Sequence, residues 1–161
     1  MACVSSSLTY RTNEDHIQWS SFCFFYYLAP EIQNVHIMKR TIASPDAPKA
    51  IGPYSQAIDL NGTLFLSGQL PLNPATGTIP EGIEAQTRQS LANIGAILKE
   101  AGLSYDDIAK TTVLLSDIKD FGAMNAVYAE YFPDSKPARV CYQVAALPMG
   151  ALVEIDAVAG K

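Results

Sequence analysis

Hydrophobic residues in this chain recur at two spacings, and each spacing predicts one type of element. Within residues 81–101 apolar side chains recur every three or four positions, which is typical of an amphipathic helix. Pro80 suits the start of this helix and Gly102 its end. The same spacing within residues 117–132, followed by Pro133, predicts a second helix. The residues predicted to face the core are Ile83, Leu91, Ile94, Ile97 and Leu98 in the first helix, and Phe121, Met124, Val127, Tyr128 and Tyr131 in the second.

Short segments rich in β-branched and aromatic residues predict strands before, between and after the helices. Residues 54–60 and 63–67 flank Asn61-Gly62, the strongest short-range signal for a type I′ hairpin turn. Residues 39–44 predict an edge strand, and residues 108–116 predict a buried strand. The order strand, hairpin, helix, strand, helix, strand, strand predicts an α+β domain, with a mixed β-sheet and two helices on one face.

The last two predicted strands hold an arginine and a glutamate among apolar residues. Residues 137–144 and 151–158 predict two adjacent strands, because the loop between them has the composition of a turn. Arg139 and Cys141 are two positions apart and share one face of the first strand. If the strands pair with Cys141 opposite Glu154, all three side chains converge on one patch. A register shifted by one residue would separate them.

Residues 1–37 differ in character from the rest of the chain. They contain both histidines, the only tryptophan and two of the three cysteines, and they precede a second methionine, Met38. The apolar run at 22–29 is too short to cross a membrane, and the acidic residues around it are atypical of signal and transit peptides. We interpret residues 1–37 as a disordered or non-native leader, with translation starting at Met38, and residues 38–161 as one domain. A mitochondrial targeting segment is the alternative.

The charge and the cysteine content limit which binding partners and which cellular compartment are expected. The net charge of −5 is opposite to that of a surface that neutralises phosphates, so nucleic acid is a disfavoured partner. The three cysteines show no CxxC spacing, which predicts neither a disulfide framework nor a zinc site. We therefore expect a cytoplasmic protein that acts on small molecules and does not bind membranes.

The absence of histidine from residues 38–161 excludes several chemistries. Ser-His-Asp and Cys-His nucleophiles and histidine metal sites would need His16 or His36 from the leader. An arginine can hold a carboxylate bidentately, and a glutamate with a raised pKa can move a proton between water and a leaving amine. Arg139 and Glu154 therefore indicate a pocket for a small carboxylated substrate, with no metal and no cofactor.

Each candidate residue also has a purely structural interpretation. Arg139 is equally consistent with an ion pair to a strand carboxylate such as Glu154. Cys141 suits a small buried apolar position, since no histidine is near to activate it. Glu154 could lie exposed on an edge strand, Tyr54 could pack in the core, and Asn125 could be an ordinary exposed helix residue.

Several separate sequence blocks, in the right order, resemble the reactive-intermediate deaminases of the RidA (YjgF) family. The resemblance covers residues 39–161, and its blocks are 51–57 (IGPYSQA), 66–71 (LSGQLP), 111–113 (TTV), 125–128 (NAVY), 137–144 (PARVCYQV) and 153–155 (VEI). It implies a chorismate-mutase-like α+β domain, assembled as a homotrimer with clefts at the subunit interfaces. It also implies metal-independent hydrolysis of the reactive imines 2-iminobutanoate and 2-iminopropanoate to 2-oxo acids and ammonia.

Site roles follow from the resemblance position by position. Arg139 resembles the clamp for the substrate carboxylate, and Glu154 the residue that activates the attacking water. Tyr54, reaching in from a neighbouring subunit, resembles the pocket wall. The remaining implied substrate contacts are Ser67 and Gly68, which line the pocket, together with Asn125 and the backbone of Cys141.

Because family members of other function are known, three alternatives to the deaminase function remain open. Relatives have been described as chaperone-like and as ribonucleases or translation inhibitors, and a third possibility is a stress protein that binds 2-oxo acids without turnover. The acidic composition and the lack of histidine weaken the ribonuclease alternative.

Overall fold

The computed structural model describes residues 38–160, which form a six-stranded sheet and two α-helices. The strands are β1 (Lys39–Ile42), β2 (Ala57–Leu60), β3 (Thr63–Gln69), β4 (Ile108–Leu115), β5 (Ala138–Gln143) and β6 (Val153–Gly160). The helices are α1 (Ile83–Glu100) and α2 (Phe121–Tyr131), with short 3-10 turns at Tyr105–Asp107, Ile118–Asp120 and Pro148–Gly150. The predictions made for residues 1–37 lie outside the described residues.

The sheet has the strand order β1-β2-β3-β6-β4-β5. All neighbouring pairs are antiparallel except β4 and β5, which are parallel. The chain between β4 and β5 contains α2, as a parallel crossover requires. The sheet is therefore mixed, and the predicted α+β class is confirmed.

Both helices pack on one face of this sheet, and the core lies between. The β6 side chains alternate strictly, with Val153, Ile155, Ala157 and Ala159 buried against the helices and the intervening residues half-exposed. In α1, Leu91, Ile94, Ile97 and Leu98 have no exposed surface, and each such side chain contributes about 1.5–3 kcal/mol through burial. Phe121 was also predicted to face the core, but it is 40% exposed at the start of α2, so this prediction is wrong.

The hairpin between β2 and β3 turns at the predicted residues. Asn61 and Gly62 have φ angles of 52° and 87°, the positive values that a type I′ turn requires at both positions. The first strand of this hairpin, β2, is shorter than predicted, because Tyr54 to Gln56 precede it in an irregular segment. No helix within residues 38–160 is long and apolar enough to cross a membrane.

The prediction that the last two strands are adjacent is wrong. β4 lies between them, with Val113 paired to Cys141 on one side and Leu114 paired to Glu154 on the other. A short connection between consecutive strands normally makes a hairpin, but here it carries the chain across β4. The convergence of Arg139, Cys141 and Glu154 through direct strand pairing does not occur.

Candidate active site

Glu154 lies on the face of the sheet that the helices leave open. It sits in β6 between β3 and β4, so the edge-strand interpretation is wrong. Its carboxylate borders a cavity of about 330 Å³ that also contains the predicted residues Tyr54, Ser67 and Gly68. Desolvation by burial, followed by the nearby charge of Asp156, raises the pKa of the Glu154 carboxyl above its usual range. A raised pKa makes a carboxylate a stronger base, which suits it to accepting a proton from water and returning it.

Gly68 allows the Glu154 carboxylate to approach β3. A Cβ atom built on Gly68 would overlap the Oε1 atom of Glu154 and lie 2.9 Å from its Cδ atom. The pairing of β3 with β6 shifts register between Leu66 and Gln69, so this contact coincides with an irregularity in the strand. A glycine is required here because of the close approach, and not because of its backbone conformation.

Tyr54 and Ser67 form part of the wall of this cavity. Tyr54 is 49% exposed, so the interpretation that it packs in the core is wrong. The Ser67 hydroxyl donates a 2.7 Å hydrogen bond to the backbone oxygen of Ser55, which ties β3 to the segment that carries Tyr54. Ser67 therefore holds the wall in place as well as lining it.

Gln56 and Lys49 are among the residues of this wall that were missed in the sequence. The buried Gln56 side chain bonds backbone groups of the preceding loop, accepting from Ser44 N at 2.7 Å and donating to Pro48 O at 2.7 Å. The loop fixed in this way brings Lys49, a cation, to the cavity that contains Glu154. The available signal for Gln56 was an uncharged polar residue within the predicted strand 54–60, whereas nothing in the local pattern distinguished Lys49 from other lysines.

Arg139 lies on the opposite, helix-covered face, beside α2. It pairs with the buried Thr111 across the parallel strands β4 and β5, which directs both side chains toward α2. Its Nη2 atom donates a 2.8 Å hydrogen bond to Asn125 Oδ1, and its guanidinium carbon lies 4.6 Å from the centre of the Tyr128 ring. Asn125 is therefore not an ordinary exposed helix residue.

Arg139 has no carboxylate within 4.0 Å among residues 38–160, so the alternative interpretation of Arg139 as an ion-pair partner of a strand carboxylate, Glu154 or Asp156, is wrong. Asp156 instead accepts a 3.0 Å hydrogen bond from the backbone of Thr112. The guanidinium of Arg139 is thus left with donors for an external anion.

Cys141 follows Arg139 on the same face and packs against the core cluster. Burial raises the pKa of its thiol, and the positive charge of Arg139 opposes this only in part. Its protonated state suits the structural interpretation of the side chain, since the thiolate is the nucleophilic form.

The predicted site residues thus fall into two groups on opposite faces of one sheet. Tyr54, Ser67, Gly68 and Glu154 form the first group, which we call the glutamate half-site. Asn125, Arg139 and Cys141 form the second, which we call the arginine half-site. No group of three or more metal-binding side chains occurs in the part of the chain that the structure describes.

Comparison with known proteins identifies the family. The profile described as endoribonuclease L-PSP matches residues 44–161. The chain belongs to this family. A relative from Mus musculus named 2-iminobutanoate/2-iminopropanoate deaminase is 49% identical over 76% of this chain and 92% of its own. The resemblance to the RidA (YjgF) family is therefore confirmed.

Other members of the endoribonuclease L-PSP family carry different names. A RutC family protein of Pyrococcus horikoshii is 55% identical over 77% of this chain and 99% of its own. The crystal structure of Escherichia coli TdcF with bound serine aligns with 76% of this chain and 98% of the TdcF chain, with a TM-score of 0.73. The two sequences are 45% identical. The family fold is the chorismate-mutase-like α+β domain.

Proposed function

We propose that this protein is a metal-independent deaminase that hydrolyses 2-iminobutanoate and 2-iminopropanoate to 2-oxo acids and ammonia. The observation that carries the proposal is the half-buried Glu154 carboxylate, which has a raised pKa and borders a cavity against Gly68. Relatives of about half identical sequence are named for this activity, which supports the substrate assignment.

The chemistry requires one proton relay. Water attacks the carbon of the protonated imine, a C–O bond forms, and Glu154 takes the proton that the water loses. Glu154 then returns this proton to the amine nitrogen. The C–N bond breaks, ammonia leaves with the bonding electrons, and the hydroxyl proton passes to Glu154 as the C=O bond forms. An imine is already electrophilic, so orientation and proton transfer can supply the catalysis.

We further propose that the working site combines the two half-sites from different subunits of a homotrimer. Arg139 would bind the substrate carboxylate, with Asn125 and the Cys141 backbone as further contacts, while Tyr54, Ser67, Gly68 and Glu154 come from a neighbouring copy. The placement of Arg139 and Glu154 on opposite faces of one sheet supports this, because one chain does not bring them together.

The open face of the sheet also supports assembly. It presents exposed apolar side chains, among them Phe65, Val140 and Tyr142, which are 47%, 42% and 48% exposed. Apolar patches of this kind are typical of interfaces. We place the trimer in the cytoplasm as a detoxifying enzyme of amino-acid metabolism, or in the mitochondrion if residues 1–37 act as a targeting segment.

The test couples the protein to threonine dehydratase, which releases 2-iminobutanoate, and follows the decay of the imine. We expect the protein to accelerate decay, and both Arg139→Ala and Glu154→Gln to lower kcat/KM by at least about a hundredfold. Decay at the rate of buffer alone would reject the deaminase. Binding of 2-oxobutanoate without any acceleration would instead identify a 2-oxo-acid-binding protein.

A further inference from the structure

The exposed side chain of Arg139 contacts one face of α2. Its guanidinium carbon lies 4.6 Å from the ring centre of Tyr128 and 5.7 Å from that of Phe121, and its Nη2 atom bonds Asn125. Phe121, Asn125 and Tyr128 occupy positions i, i+4 and i+7 of the helix, which places them on one face. Three side chains spread over about two turns of α2 thus contact a single cation.

Tyr128 is itself held in place from both ends. Its hydroxyl forms a 2.7 Å hydrogen bond with the buried Thr111 hydroxyl, and its ring packs against Phe132 with centroids 4.5 Å apart. The ring is 6% exposed. A side chain fixed in this way offers a rigid surface on which a planar guanidinium can stack.

These contacts leave N–H donors of the guanidinium for a substrate. The aromatic rings attract the guanidinium through its positive charge, whereas a carboxylate binds it through two parallel N–H donors. Asn125 takes a donor of Nη2, and the remaining N–H groups exceed what one carboxylate needs. Since arginine only donates, the side-chain oxygen of Asn125 must face it.

We propose that Phe121, Asn125 and Tyr128 are positioning residues that fix Arg139 in the orientation in which it binds the substrate carboxylate. The proposal rests on the proposed function for the identity of the bound anion, but the order of the Arg139 side chain does not depend on it. Tyr128 acts only through Arg139, whereas Asn125 acts through Arg139 in addition to its proposed contact with the substrate.

The experiment compares Tyr128→Phe with Tyr128→Leu. The phenylalanine keeps the ring and loses only the bond to Thr111, whereas the leucine removes the stacking surface. We expect the leucine variant to raise KM for the imine about tenfold with a smaller change in kcat, and the phenylalanine variant to stay within about twofold of wild type. Ala129→Ser, on the exposed side of α2, is the control.

Asn125→Asp is a second variant that does not remove a core side chain. The new carboxylate would pair with Arg139 and compete with the substrate, so KM should rise further than in Asn125→Ala while the melting temperature is maintained. Equal KM values for the aspartate and alanine variants would contradict the contact.

A readout without substrate separates this inference from the proposed function. Nuclear magnetic resonance relaxation of the Arg139 Nε–H group should show a rigid side chain in the wild-type protein and in Tyr128→Phe, and a mobile one in Tyr128→Leu. An equally rigid Arg139 in the leucine variant would overturn the proposal, whether or not the protein hydrolyses imines. A mobile Arg139 together with an inactive wild-type protein would support the positioning role and reject only the deaminase.

Discussion

At the scale of single residues, the position of the Glu154 carboxylate depends on the missing side chain of Gly68. Gly68→Ala would place a methyl group where the carboxylate lies, and the flexible Glu154 side chain would move aside. We expect kcat to fall at least about tenfold, because in the proposed mechanism the displaced carboxylate would no longer reach the attacking water. The melting temperature should change little, since no backbone atom is in the way.

Gly122→Ala is the matched control for this prediction. Gly122 lies in the first turn of α2, and an added Cβ would meet no atom within 4 Å. This variant should stabilise the protein by about 0.5–1 kcal/mol through helix propensity and keep its activity. Equal loss of activity in both variants would mean that the contact between Gly68 and Glu154 is unimportant.

The raised pKa of Glu154 also predicts how stability changes with pH. A carboxyl whose pKa is higher in the folded protein binds its proton more tightly when folded, so stability falls as pH rises from about 4 through the folded pKa. Glu154→Gln cannot ionise and escapes this loss. Its melting temperature should exceed that of wild type at pH 7, and the difference should disappear near pH 4.

Calorimetry across this range would check the sign, with the exposed Glu81→Gln as control. A glutamine variant that is less stable than wild type at pH 7 would show that Glu154 is stabilised as the anion. The proton-relay role would then need another base.

At the scale of elements, the loop that carries Lys49 depends on Gln56. The side chain of Gln56 joins the start of β2 to the backbone of residues 44–48 through several hydrogen bonds. Gln56→Ala would leave the buried Ser44 N–H without its partner, so we expect a loss of about 1–3 kcal/mol in the free energy of unfolding.

Urea unfolding would measure this loss, and Gln143→Ala provides the comparison. Gln143 is exposed and accepts one hydrogen bond, from the backbone of Ile118. Its removal should cost clearly less than that of Gln56. Similar losses of unfolding free energy in the two variants would show that burial does not strengthen the contribution of the Gln56 hydrogen bonds to stability.

Local sequence patterns predicted the helices and the hairpin turn better than they predicted which strands are neighbours in the sheet. The helices and the Asn61-Gly62 turn follow from spacing and backbone preference within a few residues, and the structure reproduces them with helix ends shifted by one to four positions. The insertion of β4 between β5 and β6 depends on pairing between distant segments, for which local spacing contains no information. The sequence identified Arg139 and Glu154 as candidates, but their opposite faces follow only from the strand order.

At the scale of the whole molecule, the two half-sites predict that defective subunits can complement each other. If the protein assembles as the proposed trimer, a mixture of Arg139→Ala and Glu154→Gln subunits that is unfolded and refolded together would form mixed trimers. Some interfaces in these trimers would combine an intact Arg139 with an intact Glu154, in about one quarter of all sites for an equal mixture. We therefore expect activity to return to about that fraction of wild type.

The control replaces the Glu154→Gln partner with the double variant Arg139→Ala/Glu154→Gln, which supplies no intact Arg139. That mixture should remain inactive. Failure of the first mixture to recover activity, with trimers verified by light scattering, would mean that both residues act within one subunit.

The placement of Arg139 and Glu154 on opposite faces of a single sheet has a consequence for how activity depends on the concentration of the protein. If each site is shared between copies, a newly made chain has no activity until it meets others, and catalytic output rises more steeply than chain number at low abundance. Dilution below the dissociation constant of the assembly would then silence the enzyme without unfolding it. The cell would receive full protection only once synthesis had passed a threshold.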